Sequence, residues 1–279
     1  MKKAILIILA AALLLCAVGC KKASSKKLTV AMSPDFAPME FVDTSKSGQA
    51  QYVGFDVTLA NYLADELGME LEIKPMSFDA CMTAVQLGSV DMAISGFSWK
   101  PDRAENFLLS DYYIAGDNET EQSVITVKAK ENTCKTQADF SGWKVGAQTS
   151  ALQEQLVKDE LIPAGAELVA YKSIDDAVLA LQTGKIDALA VAHGNGEAII
   201  ANNPDLAFTG FDFDVDPKYE NNVILLNKSN TELLEKVNAV LAKAMAAGLY
   251  DGWYNDAKEL AGIPTAADVS YDDDGKPIG

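Results

Sequence analysis

The chain has 279 residues, 49% of them hydrophobic and 23% charged, enough apolar surface for one large domain or two modest ones. Its formal charge of −17 leaves no basic stripe to neutralise phosphates, which sets nucleic acid aside as a partner. Four cysteines and a single histidine occur without a CxxC or Cys/His cluster, so no metal site or other cofactor is expected.

Residues 1–19 read as a signal peptide. Lys2 and Lys3 precede an apolar run from Ala4 to Leu15, too short for a bilayer span of ~20 residues. Ala17-Val18-Gly19-Cys20 has the form of a bacterial lipobox, so Cys20 is expected to carry lipid and residues 20–27 to form a Lys/Ser-rich tether to the outer face of the membrane. The alternative is ordinary cleavage near Gly19, with Cys20 a free thiol. Cys81 and Cys134 are left for the folded part, where a disulfide and two buried free thiols both stand open.

Leu28 to Met32 is expected as the first strand, followed by a proline-broken stretch through Phe41. Gly54-Phe55-Asp56 opens a helix with Leu59, Leu63 and Leu67 on one face and Gly68 at its stop. A strand at Met69 to Ile73, a helix at Phe78 to Leu87 and an apolar strand at Val90 to Ile94 follow. The stretch Ser77 to Asp91 then recurs at Ser173 to Asp187, 96 residues later, with Ser, Asp, Ala, Gln, Gly and Asp in register. A repeat this long implies two similar α/β lobes rather than a solenoid.

The second lobe reads as strand Trp143 to Ala147, helix Leu152 to Leu161, strand Leu168 to Tyr171 and the repeated unit ending in Ala188 to Ala192. Crossings near Tyr113 to Gly116 and Tyr219 to Asn222 allow a two-strand hinge. Val223 to Leu226 is expected as a strand, and Leu233, Val237, Val240, Leu241 and Ala244 as a helical stripe returning to lobe one. The expected division is lobe one at 28–114 and 223–267, lobe two at 117–219, and a flexible tail at 268–279. Each lobe is expected to be a mostly parallel sheet flanked by helices.

Ligands of open parallel sheets collect beyond the carboxyl ends of the strands, here Ser95-Gly96 and Val191-Ala192-His193. A ligand between the lobes touches both, and closure about the hinge is the expected mechanism. Shortly after Ser95-Gly96 stands Arg103, the only arginine in the chain, whose planar fork suits a carboxylate. No GxSxG elbow or phosphate loop is present.

With these pieces in place, the chain resembles the bacterial extracellular solute-binding proteins that serve polar amino acid ABC importers. The resemblance rests on Phe36 to Phe41, Gly54 to Val57, Gly88 to Asp91, Ser95 to Arg103, Ser110 to Tyr113, Val145 to Thr149 and Gly184 to Ala188. It implies a periplasmic-binding-protein-like fold with a ligand cleft between two lobes, and a monomer that hands a small carboxylate-bearing solute to a membrane permease. It also implies that Arg103 holds the ligand carboxylate with help from Ser95, Gly96 and Ser98, and that Phe36 and Phe55 flank the ligand. Lobe two would close with Gln148, the Thr149 to Leu152 turn with Ser150, Ala151 and Leu152 at the ligand, and the Ala192-His193 end.

Departures from the family pattern are equally specific. Ser150-Ala151-Leu152 lacks the hydroxyls relatives place there, and Ser33 replaces an acid found in some of them. Ala192 stands where relatives carry the aspartate that binds the α-ammonium. Either the ligand lacks an amine, or another acid such as Asp35, Glu40 or Glu197 reaches it. A dehydratase-like enzyme on the same fold, with His193 as its acid or base, is the remaining alternative.

Overall fold

The structure, a computed structural model, describes residues 26–113, 121–219 and 221–264, with the backbone of 270–271 and 277–278. The signal peptide, Cys20, most of the tether and the first crossing lie outside the described residues. So does the tail expected at 268–279, apart from an antiparallel pairing of Ser270–Tyr271 with Pro277–Ile278.

The first lobe opens on β1 (Lys27–Met32). A small antiparallel sheet follows, made of β2 (Asp35–Phe36), β3 (Glu40–Val42) and β4 (Tyr52–Val53). Helix α1 (Phe55–Glu66) starts at Gly54, whose φ of 120° and whose neighbour, the Met39 carbonyl oxygen 2.4 Å from any added Cβ, admit only glycine. Its apolar spacing buries Leu59 and Leu63 completely, each contributing about 1.5–3 kcal/mol of transfer free energy. Then come β5 (Glu70–Pro75), α2 (Phe78–Gln86), β6 (Met92–Ala93), α3 (Pro101–Asn106) and β7 (Leu108–Leu109).

The second lobe contains β8 (Gln122–Val127), β9 (Lys144–Gln148), α4 (Leu152–Leu156), β10 (Glu167–Tyr171), α5 (Ile174–Gln182), β11 (Ala188–Ala192), α6 (His193–Asn202) and β12 (Leu206–Asp212). The chain then returns as β13 (Leu225–Leu226), α7 (Thr231–Ala246) and α8 (Leu249–Leu260).

The two main sheets share one plan. Their orders are β5-β1-β6-β13-β7 and β10-β9-β11-β8-β12. In each, three parallel strands are followed by an antiparallel strand that arrives from the other lobe: β13 after the second crossing, β8 after the first. The repeated sequence has a matching structural role. Asp91 Oδ2 accepts the Thr29 N–H at 2.8 Å, and Asp187 Oδ2 accepts the Lys144 N–H at 3.0 Å, so one copy ties the start of β6 to β1 and the other the start of β11 to β9.

Core layers lie on both faces of each sheet. In lobe one, Leu28, Val30, Met32 and Ile94 pack with α1, α7 and α8, while Phe78, Cys81 and Val85 of α2 cover the opposite face. Lobe two has the corresponding layers around Val145 and Ala190 and around Ile174, Leu181 and Leu189. Where the sequence suggests strands at Val90 to Ile94 and Val223 to Leu226, only Met92–Ala93 and Leu225–Leu226 form ladders. The helix expected at Leu152 to Leu161 is α4 followed by a π turn at Val157–Leu161. Among the described residues no helix is long and apolar enough to cross a membrane.

Candidate functional site

The carboxyl ends of β6 and β11 face each other across a narrow cleft, and the lobes touch on both sides of it. The flanks of the two crossings meet at Tyr113 and Asn222, which pair as an isolated antiparallel bridge.

Arg103 is set into the cleft by α3, which starts with Pro101 at its first position, where the missing N–H costs nothing. The side chain is 1% exposed, and its guanidinium carbon lies 5.4 Å from the Phe78 ring centre and 5.3 Å from that of Phe97. Nη1 donates to the Ser98 carbonyl, and Nη2 crosses the cleft to the Ser150 carbonyl at 2.9 Å. Nε is buried without a partner, and among the described residues no carboxylate forms an ion pair with this group. Burial pushes its pKa down to about 10, still far above neutral, so it remains a cation.

Ser95 and Gly96 form the turn at the end of β6. Gly96 has φ 55°, and a Cβ there would lie 2.6 Å from the Phe36 ring, so glycine lets this ring lie against the cleft floor. The donors of the turn point away from the cleft. Ser95 Oγ donates to Glu40 and accepts the Ser33 N–H at 3.0 Å; the Gly96 N–H donates to Asp56 Oδ2 at 2.8 Å, which also accepts the Tyr113 hydroxyl at 3.1 Å. Glu40 and Asp56 are fully buried and within hydrogen-bond reach of each other, so burial disfavours ionising both together. Burial lifts Asp56 to about 7, and burial with the Asp56 charge holds Glu40 well above the carboxylate range.

Most of the residues expected at the site line this cleft: Phe36, Ser95, Gly96, Ser98 and Arg103 from lobe one, and Gln148, Ala151, Leu152 and Ala192 from lobe two. Four are placed elsewhere. Phe55 is 0% exposed and stacks on Tyr113 in the lobe-one core, because the apolar face of α1 points inward. Ser33 lies behind the cleft and donates to Asp35. Ser150 presents its carbonyl to Arg103 while its N–H is held by Glu154 at 2.7 Å. His193 turns outward, stacked on Phe208 at 4.6 Å with Nδ1 2.8 Å from the Ser123 hydroxyl.

The cleft also contains residues that sequence reasoning missed. Gln122, Gln153, Asn195 and Asn222 add carboxamides to that of Gln148, while Phe78, Ile174, Leu189, Ala190 and Val191 add apolar wall. Gln153 Nε2 donates to Gln122 Oε1 at 2.5 Å. Gln148 Nε2 and Asn195 Oδ1 are buried without partners. Asn195 sits between Gly194 and Gly196, a triplet that looks like a loop, yet all three are helical. A Cβ at Gly196 would lie 2.7 Å from the Phe208 ring, so glycine there allows α6 to press against β12.

Three acids had been candidates for binding an amine, and none lines the cleft. Asp35 accepts the Ile174 N–H and the Ser33 hydroxyl, Glu40 is paired with Ser95 and Asp56, and Glu197 faces Lys258 at 3.4 Å. Among the described residues of the cleft lining, Arg103 is therefore the one charged side chain.

Two lobes of identical strand plan, joined by a double crossing and meeting over a buried polar cleft, define a solute-binding protein. The chain belongs to the bacterial extracellular solute-binding proteins, family 3, whose model matches residues 28–256. It is similar to the arginine-binding extracellular protein ArtP of Bacillus subtilis, with 28% identity over 86% of this chain and 92% of that one. It is likewise 28% identical to a probable histidine-binding protein of Campylobacter jejuni, over 80% of this chain and 82% of that one. Among solved structures, the amino acid ABC transporter substrate-binding protein AbpA of Streptococcus pneumoniae, bound to L-arginine, superposes with a TM-score of 0.76 at 35% identity. That match covers 86% of this chain and 97% of AbpA.

Proposed function

We propose that this protein captures a small carboxylate-bearing solute by closing its lobes and delivers it to an ABC importer permease, held at the membrane by lipid on Cys20. Arg103 is the observation that carries this reading. A cation taken out of water costs several kcal/mol unless it is paired, and here two carbonyls and the faces of Phe78 and Phe97 contact it but no described carboxylate does. A ligand carboxylate supplies the charge, and Nε with the remaining Nη hydrogens supplies the donors.

The rest of the polar lining is neutral, so a ligand of net charge −1 leaves the closed cleft neutral. That favours an amine-free carboxylic acid whose hydroxyl, carbonyl or amide groups meet the five carboxamides. One atom favours a second reading. Asn195 Oδ1, a buried acceptor without a partner one turn after Ala192, suits the α-ammonium of an amino acid with an uncharged side chain. Arginine or histidinium, the chemistry in the relatives' names, would add positive charge beside Arg103 with no described acid to offset it. A binding rather than catalytic role is supported by the relatives' names and by the outward turn of His193, which removes the base an enzyme would need.

A thermal-shift panel of matched pairs tests this: L-glutamine with glutaramate, L-phenylalanine with 3-phenylpropanoate, and L-arginine with 5-guanidinopentanoate. A ligand at a hundred times its Kd stabilises by about 2.7 kcal/mol. Larger shifts with the amine-free partner of a pair support the first reading, and larger shifts with the neutral amino acids support the second. A shift with L-arginine alone contradicts both.

A further inference from the structure

We propose that Asp35 of lobe one is a positioning residue for closure, acting as a helix cap supplied across the cleft to α5 of lobe two. The inference rests on the closure mechanism proposed above. The N-terminal N–H groups of a helix have no partner within it, and a residue at the cap normally supplies one. Ser173 occupies the cap position of α5, with φ −119° and ψ 140°, but makes no side-chain cap hydrogen bond. Asp35 Oδ2, 139 residues earlier in the chain, accepts the Ile174 N–H at 2.8 Å instead. Its other oxygen accepts the Ser33 hydroxyl at 2.9 Å, which fixes the carboxylate in the direction of the opposite lobe.

The contact stands at the rim of the binding cleft. Phe36, next to Asp35, and Ile174 itself both line it. Two residues beyond Asp35, the Ala37 carbonyl accepts Asn195 Nδ2 at 2.8 Å, in the first turn of α6. The β2–β3 hairpin of lobe one thus holds the N-terminal turns of two lobe-two helices, and both bonds break when the lobes separate. Opening returns the Ile174 N–H and the Asp35 carboxylate to water. Asp35 therefore sets how firmly the closed form holds, without touching the ligand.

Solution X-ray scattering on the protein and its Asp35→Ala and Asp35→Asn variants tests this, with no ligand and with saturating glutaramate, alongside thermal midpoints and the dissociation rate of glutaramate. In Asp35→Ala the scattering is expected to shift toward the extended form in at least one condition, and dissociation to accelerate roughly fivefold or more, the scale of a lost cap. Asp35→Asn, which keeps an acceptor of the same shape, is expected to restore most of both. Scattering and dissociation identical to the parent overturn the latch, and so does a fall in thermal midpoint with no change in scattering, which marks a purely structural role. If the parent binds none of the matched pairs, the carboxylate reading fails instead, and the unliganded scattering comparison alone decides the latch.

Discussion

The guanidinium of Arg103 in lobe one donates to the carbonyl oxygen of Ser150 in lobe two at 2.9 Å. One side chain therefore bridges the lobes, and in the proposed reading the same side chain is the anion site. Ser150 can offer this carbonyl because it lies in the left-handed region, at φ 68°, where a non-glycine residue carries strain. Substitution at Arg103 consequently acts on ligand and closure together.

Arg103→Lys is expected to weaken binding of the best acid in the matched-pair panel by roughly a hundredfold, measured by calorimetric titration. Lysine keeps the charge but lacks the planar fork that reaches Ser98, Ser150 and the ligand at once. Affinity within threefold of the parent would place the carboxylate elsewhere.

Gly96→Ala introduces a Cβ 2.6 Å from the Phe36 ring at a backbone φ of 55°. We expect a stability loss of about 1–3 kcal/mol, read as a lower thermal midpoint, together with weaker ligand binding as Phe36 is pushed off the cleft floor. An unchanged midpoint would mean that the ring moves freely.

The Glu40–Asp56 pair predicts a definite sign of pH dependence. The folded-state pKa of Asp56, about 7, lies above its ordinary value of 3.8, and Glu40 is raised as well. Between those pH values the folded protein binds more protons than the unfolded chain. The Asp56 part of this stability is thus fully present below about pH 4 and is lost as pH rises through about 7, and Glu40, raised well above its ordinary value, contributes with the same sign. Glu40→Gln, whose amide donates to a charged Asp56, is expected to flatten this slope in thermal midpoints taken from pH 4 to 8. A slope identical to the parent's would show that the pair does not carry it.

Cys81 and Cys134 are buried, free and in different lobes, Cys81 on α2 and Cys134 beside the lobe-two core. Burial pushes the Cys81 thiol up, away from its reactive thiolate form. Alkylation followed by peptide mass mapping is expected to label neither site in the native protein and both after unfolding. A mass 2 Da below that of the reduced pair, in a peptide joining the two sites, would contradict this.

The β-α-β-α units were legible in the sequence because their signals are local. Helix spacing, a stop glycine such as Gly88 or Gly184 and a buried strand recur in register, and Asp91 and Asp187 do the same job in both lobes. The antiparallel strand of each sheet was not legible from the repeat. β8 precedes its lobe's repeated unit and β13 follows the other lobe, so no common offset relates them. At the site, Arg103 stands out as a lone residue type, whereas Asn195 was hidden by the two glycines around it. Phe55 and His193 carried suitable chemistry at suitable positions in the chain, but the inward face of α1 and the Phe208 ring turn them from the cleft. Orientation of that kind comes from tertiary packing, which spacing along the chain does not carry.

The most direct test of the carboxylate site is a crystal structure with the acid that gives the largest thermal shift. The ligand carboxylate is expected within hydrogen-bond distance of Arg103 Nε or the remaining Nη hydrogens, between the rings of Phe36 and Phe78. A ligand whose carboxylate lies elsewhere, with Arg103 still bound only to the Ser98 and Ser150 carbonyls, would contradict the assignment.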